Sequence, residues 1–168
     1  MPSLKTNTYQ TSSSEETKRL GEKFAAEFLA RGGEKKASAK KTNAAVIVLS
    51  GELGAGKTTF VQGFLKGAGI RGRAPSPTFV IMRHYRILKR ANLFSHIIHM
   101  DAYRLQTTAT KNAAHLAALN FDEMVNDPKN IVLIEWGERI KGAIPKGALR
   151  VQFRYDKKEG VRLITIKQ

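Results

Sequence analysis

Apolar residues fall into two alternating periodicities along this chain. Behind Ser13, with Glu16 three positions on, Leu20, Phe24 and Phe28 recur down one face. This predicts a helix opened by a capping box and stopped at Gly32-Gly33. "AAVIVL" at 44–49 follows a different rule: it is wholly apolar and runs into glycine, as a strand buried on both faces does. Helical spacing then returns with Phe60, Val61, Phe64 and Leu65, and Gly67 and Gly69 end it.

Beyond residue 70 the alternation continues. "SPTFVIMRHYRI" at 76–87 contains an extended segment that begins after Pro77, because proline restricts its neighbour and has no N–H to donate. "FSHIIHMDAYRL" at 94–105 offers a second buried strand running into Asp101, and "NIVLIEW" at 130–136 a third running into Glu135. Ala113 to Leu119 reads as helix, and Asp122 and Glu123 open another short one. The tail, "ALRVQFRY" and "VRLITIKQ" around "DKKEG", alternates like a hairpin. Strands interleaved with helices specify an α/β fold.

Length and composition narrow the class. A chain of 168 residues suits one domain spanning 1–168. With no cysteine there can be no disulfide, thiolate zinc site or cysteine nucleophile, which agrees with a cytoplasmic protein. The longest aliphatic run, Ala44 to Leu49, is far short of the roughly 20 residues that cross a bilayer, so no membrane span is expected. The formal charge of +15 is uneven. Residues 94–140 hold four basic and six acidic side chains, while every other stretch is basic. A basic surface suits either nucleic acid or plain solubility, and no basic motif interleaved with aromatics selects between them. "EKKASAKK" at 34–41 lacks any period and is expected to be a basic loop insertion.

The chemistry concentrates in "GELGAGKTT". Gly51-x4-Gly56-Lys57-Thr58 matches the phosphate-loop pattern, lying between a buried strand and a helix as that pattern requires. Glycines allow the backbone to turn its N–H groups inward, and the following helix adds its dipole. Lys57 is placed to bridge the β- and γ-phosphates, and the Thr58 hydroxyl to meet Mg2+. A magnesium site also needs a carboxylate at the end of a neighbouring strand, for which Asp101 and Glu135 are the candidates. No Asn/Thr-Lys-x-Asp guanine-reading motif is present, which favours ATP. A small-molecule or nucleoside kinase is the rival reading, with Arg71 and Arg73 as lid residues, and a nucleotide-gated RNA-binding module is a third. His84, His96, His99 and His115 show no metal-ligand spacing and read as structural or surface residues.

Together, "GELGAGKTT" (51–59), "SPTF" (76–79), "HMDAYRL" (99–105) and "IEWGERI" (134–140), in this order behind an "EET…LG" helix, resemble the TsaE (YjeE) family of bacterial ATPases in tRNA threonylcarbamoyladenosine biosynthesis. The resemblance covers roughly residues 13–145, leaving out the 34–41 insertion and the C-terminal region. It implies a P-loop NTPase-type, three-layer α/β domain with a mixed sheet flanked by helices, binding ATP and Mg2+. By this resemblance Gly51, Glu52, Leu53, Gly54, Ala55, Gly56, Lys57, Thr58 and Thr59 hold the phosphates. Thr58 and Glu135 hold the metal, Asp101 sits near the γ-phosphate, and Trp136 shapes the site. "SPTF" resembles a γ-phosphate-sensing switch through Ser76 and Thr78, stiffened here by Ala74-Pro75. The catalytic set is then Lys57, Asp101 and Glu135, with activity dependent on TsaB and TsaD as partners and hydrolysis resetting their complex. Arg104, three residues past Asp101, is the nearest arginine to the acidic strand end, with no clear finger role.

Overall fold

A computed structural model of the chain describes residues 6–35, 43–72, 75, 77, 79–88, 93–105 and 109–167. The strands are β1 (Thr6–Thr11), β2 (Ala45–Gly51), β3 (Met82–Arg86), β4 (His96–Asp101), β5 (Asn130–Glu135), β6 (Leu149–Asp156) and β7 (Val161–Lys167). The helices are α1 (Ser14–Lys35), α2 (Lys57–Gly67), α3 (Ala109–Ala118) and α4 (Phe121–Asn126), with a 3-10 segment at Gly137–Ala143.

The strands form one mixed sheet in the order β1-β7-β6-β2-β5-β4-β3. Four central strands are parallel, β6 with β2, β2 with β5 and β5 with β4, while β3, β7 and β1 pair antiparallel at the two sides. Apolar runs without alternation supply β2, β4 and β5, because helices cover both faces there. Ile47, Leu49, Leu133 and Val151 face α1 and α2. Val46, Val48, Val132 and Ile134 meet α3, α4 and the 3-10 segment on the other side. The result is three layers with two cores.

The first core is unusually aromatic. Phe24 and Phe28 of α1 lie 5.7–6.2 Å from Phe60 and Phe64 of α2, and Phe60 meets Phe153 of β6 edge-on at 5.6 Å. Glycines set how closely the two helices approach. A Cβ on Gly21 would fall 2.2 Å from the Phe60 carbonyl oxygen, one on Gly63 1.9 Å from that of Lys18, and one on Gly67 2.3 Å from that of Glu22.

Helix α1 opens as its capping box predicts, with a shift of one residue. Ser13 Oγ accepts the Glu16 N–H at 3.1 Å, while the Glu16 carboxylate returns to the Ser12 N–H at 2.7 Å instead of to Ser13. The expected stop at Gly32-Gly33 is corrected: the helix runs to Lys35, since glycine weakens a helix by only about 0.5–1 kcal/mol without barring it. Residues 34 and 35 therefore belong to α1, and the rest of the expected insertion lies outside the described residues. The 161–167 and 149–156 strands form the expected hairpin. Strand β1 was not expected, and the reason is visible: five of its six residues are exposed, so it carries no apolar stripe and exists by pairing with the edge of β7.

Replacing Gly63 by Ala should force α1 off α2 and cost at least about 1–3 kcal/mol in denaturant unfolding. Gly142→Ala, at a position with nothing within 4 Å of the added carbon, should stay within about 0.5 kcal/mol of the parent.

Candidate functional site

The parallel register does the assembling. Pairing of β2 with β5 sets Glu135 opposite Leu49, two residues before the glycine loop, and pairing of β5 with β4 sets Asp101 opposite Glu135. Two carboxylates and the loop thus share the carboxyl end of the sheet, where open α/β sheets place their ligands. The chain leaves this edge through tight backbone bonds: Leu49 O accepts the Trp136 N–H at 3.0 Å and Glu135 O accepts that of Ala102 at 3.0 Å.

The loop requires glycine at three positions of positive φ, Gly54 at 78° among them. Gly51 has φ 139°, and a Cβ there would lie 2.2 Å from the Phe153 carbonyl oxygen. Gly56, at φ 104°, immediately precedes α2 in left-handed geometry, and its Cβ would press on Thr17 of α1 and Arg162 of β7 at 3.2 Å. The loop is wedged between the first helix and the last strand.

Lys57 is 4% exposed, and its ammonium donates to Gly51 O at 2.6 Å and Glu52 O at 2.8 Å. The same nitrogen stands 3.8 Å from the centre of the Trp136 ring. Burial lowers the Lys57 pKa from its ordinary value, opposed by the charges of Glu135, Glu138 and Asp101 in that order. Thr58 Oγ1 donates to Glu135 Oε2 at 2.7 Å. Glu135 Oε1 lies 2.8 Å from His99 Nε2, with both side chains buried. Asp101, also buried, accepts the Tyr103 N–H on Oδ1 at 2.9 Å.

These groups border one cavity of about 300 Å3, lined by Gly54, Gly56, Lys57, Thr58, Asp101, Glu135 and Trp136 among others. Of the expected residues, Leu53 and Thr59 also line it. Ala55 is buried beneath the loop, and Gly51 and Glu52 contribute the carbonyls that hold Lys57. Ser76 and Thr78 lie outside the described residues. Arg104 turns away to stack on the Phe79 ring at 4.5 Å and is not among the lining residues. Trp136 takes φ 58°, which turns the chain sharply after Glu135, and its ring meets Tyr103 at 5.0 Å. Ile81, a β-branched residue at φ 64°, is backbone strain of about 1–3 kcal/mol held next to the acid, for its carbonyl accepts the Asp101 N–H at 2.9 Å.

Four residues escaped the sequence reading. Ser14, Tyr103 and Arg162 line the cavity, and His99 holds Glu135. Alternation along β4 could have found His99, two positions before Asp101 and hence on its face. Arg162 was beyond reach, since only the β2–β6–β7 pairing brings it to the loop.

A donor set of this kind suits a polyphosphate with a hard divalent cation: a glycine loop leading into a helix N-terminus, a buried ammonium, and a hydroxyl and a carboxylate 2.7 Å apart. Among the described residues no group of three or more His, Asp or Glu forms a protein-only metal cage, so the cation would share its shell with phosphate oxygens and water. No helix among the described residues is long and apolar enough to cross a membrane.

Fold and site together define an α/β protein with a seven-stranded mixed sheet and a glycine loop facing two strand-end carboxylates. Residues 11–164 match the family model for threonylcarbamoyl adenosine biosynthesis protein TsaE, and the chain belongs to that family. The match extends past the expected limit of 145 to take in the C-terminal hairpin. The chain is similar to the tRNA threonylcarbamoyladenosine biosynthesis protein TsaE of Haemophilus influenzae, 33% identical over 147 residues, which are 87% of this chain and 81% of that protein. The TsaE of Streptomyces coelicolor is 35% identical over 124 residues, 72% and 78% of the two chains. The crystal structure of YdiB from Bacillus subtilis superposes with a TM-score of 0.68 at 26% identity, covering 99% of this chain and 88% of that one.

Because Glu135 is the foremost charge favouring protonated Lys57, Glu135→Gln should move the Lys57 titration, followed by side-chain NMR, further below its ordinary 10.5. An upward or absent shift would contradict the cavity electrostatics.

Proposed function

We propose that the chain is a P-loop ATPase, dependent on magnesium, that serves the synthesis of threonylcarbamoyladenosine in tRNA, hydrolysing ATP to drive or reset a complex of TsaB and TsaD. The observation that carries this reading is the Thr58–Glu135 hydrogen bond at the head of the glycine loop. It brings the two ligands a magnesium ion would need to one point, beside a buried ammonium.

Thr58 and Glu135 would hold magnesium, which would neutralise charge developing on the transferring phosphoryl group. The chain's own residues do the rest. Loop amides from Gly54 to Thr59 and the start of α2 cradle the phosphates. Lys57 leaves the Gly51 and Glu52 carbonyls for phosphate oxygens, a short move that exchanges two neutral acceptors for charged ones. Asp101, paired opposite Glu135 at the neighbouring strand end and lining the same cavity, is assigned to orient the attacking water. That water's oxygen bonds to the γ-phosphorus as the bond to the β–γ bridging oxygen breaks, leaving ADP and phosphate.

Dependence on protein partners is supported at the cavity mouth. Of the residues on its border, Leu53 is 82% exposed and Tyr103 is exposed as well, which leaves two apolar side chains in solvent beside a polar site. The family name supports the pathway, and the formal charge of +15 supports weak contact of the basic surface with tRNA.

Phosphate release from ATP, measured alone and with TsaB plus TsaD, should rise with the protein pair and fall by about a hundredfold or more in Lys57→Ala. Normal turnover in that variant would remove the cradle assignment, and transfer to a small acceptor would establish a kinase instead. Any tRNA binding, read by fluorescence anisotropy, should weaken steeply with salt, and a flat salt series would leave the basic surface without that role.

A further inference from the structure

His84, His96 and His115 are exposed, whereas His99 is 1% exposed and sits inside the face of the sheet that α2 covers. Its register partner on β5 is Leu133, so Glu135 lies diagonal to it, within reach of a long side chain on the same face. The contact is made, His99 Nε2 to Glu135 Oε1 at 2.8 Å. His99 Nδ1 is buried with no hydrogen-bond partner among the described residues. The tautomer that fits is the one with its proton on Nε2, donated to the carboxylate. Glu135 is thereby gripped from two directions, by Thr58 on Oε2 and by His99 on Oε1.

We propose that His99 is a positioning residue for the magnesium site. It fixes the plane of the Glu135 carboxylate so that Oε2 stays on the loop side, next to Thr58. An aliphatic residue would fill the same buried volume at lower desolvation cost; what histidine adds there is one N–H aimed at one oxygen. A carboxylate that accepts a hydrogen bond on the oxygen remote from the metal keeps its charge and loses its freedom to rotate. This inference rests on the reading of Thr58 and Glu135 as the magnesium-holding pair.

The test uses the full chain and calorimetry of ATP binding across a magnesium series and in EDTA, for the parent, His99→Leu, His99→Asn and His99→Gln. In His99→Leu the magnesium concentration at half effect should rise about 10- to 100-fold, while binding in EDTA stays at the parental value. His99→Gln, whose amide nitrogen reaches the place of Nε2, should restore most of the loss. His99→Asn, too short to reach, should behave as the leucine variant does, and it decides the matter should the leucine variant fail to fold. Parental magnesium dependence in both the leucine and asparagine variants would overturn the role of His99 and leave the magnesium reading standing. Equal losses with and without magnesium, or no recovery in His99→Gln, would reduce His99 to packing and overturn the proposal as well. A parent chain whose ATP binding ignores magnesium would overturn the reading beneath it.

Discussion

A carboxylate removed from water must be met on both of its oxygens, and Glu135, 1% exposed at the end of a central strand, is the point where this requirement organises the molecule. Its partners come from different elements, Thr58 from the first turn of α2 and His99 from β4. Satisfying Glu135 therefore locks the helix that follows the glycine loop to the two strands beside it. The ammonium of Lys57 is held in the same small volume, its charge supported first by Glu135. Both border the same cavity, and the carboxylate's charge offsets part of the cost of burying the ammonium.

The scaffold explains how such an arrangement can be rigid without being closed. Glycines at 21, 63 and 67 bring the α1 and α2 backbones into near contact, so the helix carrying Thr58 rests on a second helix instead of on mobile side chains. Gly56 is pinned between Thr17 and Arg162. The rim is different in character. Leu53 and Tyr103 on the cavity border stand in solvent, and Ile81 holds a strained left-handed conformation just before β3 while bonded to the backbone of Asp101.

Much of this was legible in the residues themselves. Lys57 and Thr58 are marked by the glycine-loop spacing, and Asp101 and Glu135 by the acidic ends of apolar runs that buried parallel strands produce. The hairpin declared itself by alternation, since one of its faces is core and the other is not. Where one face does not differ from the other, pattern carries no information, and β1 was invisible for that reason. Helix α1 continues through Gly32-Gly33 because glycine is a modest local penalty and not a stop. His99 was undervalued because ligand spacing was sought along the sequence, whereas its partner lies across a strand ladder. Arg162 depended on two further strand pairings that no local signal encodes.

The cavity has Ser14, from the opening of α1, and Arg162, from the last strand, on its border. Glycine loop and strand-end acids lie between residues 51 and 135, but these flanks lie outside that stretch on either side, at 14 and 162. During synthesis the strand–loop–helix unit of β2 and α2 emerges earlier and can coil locally, while the wall contributed by β7 waits for the strands that follow it. Long-range closure of this kind is slow compared with helix formation. A shortened product lacking residues 149–167 would carry the motif without the vessel.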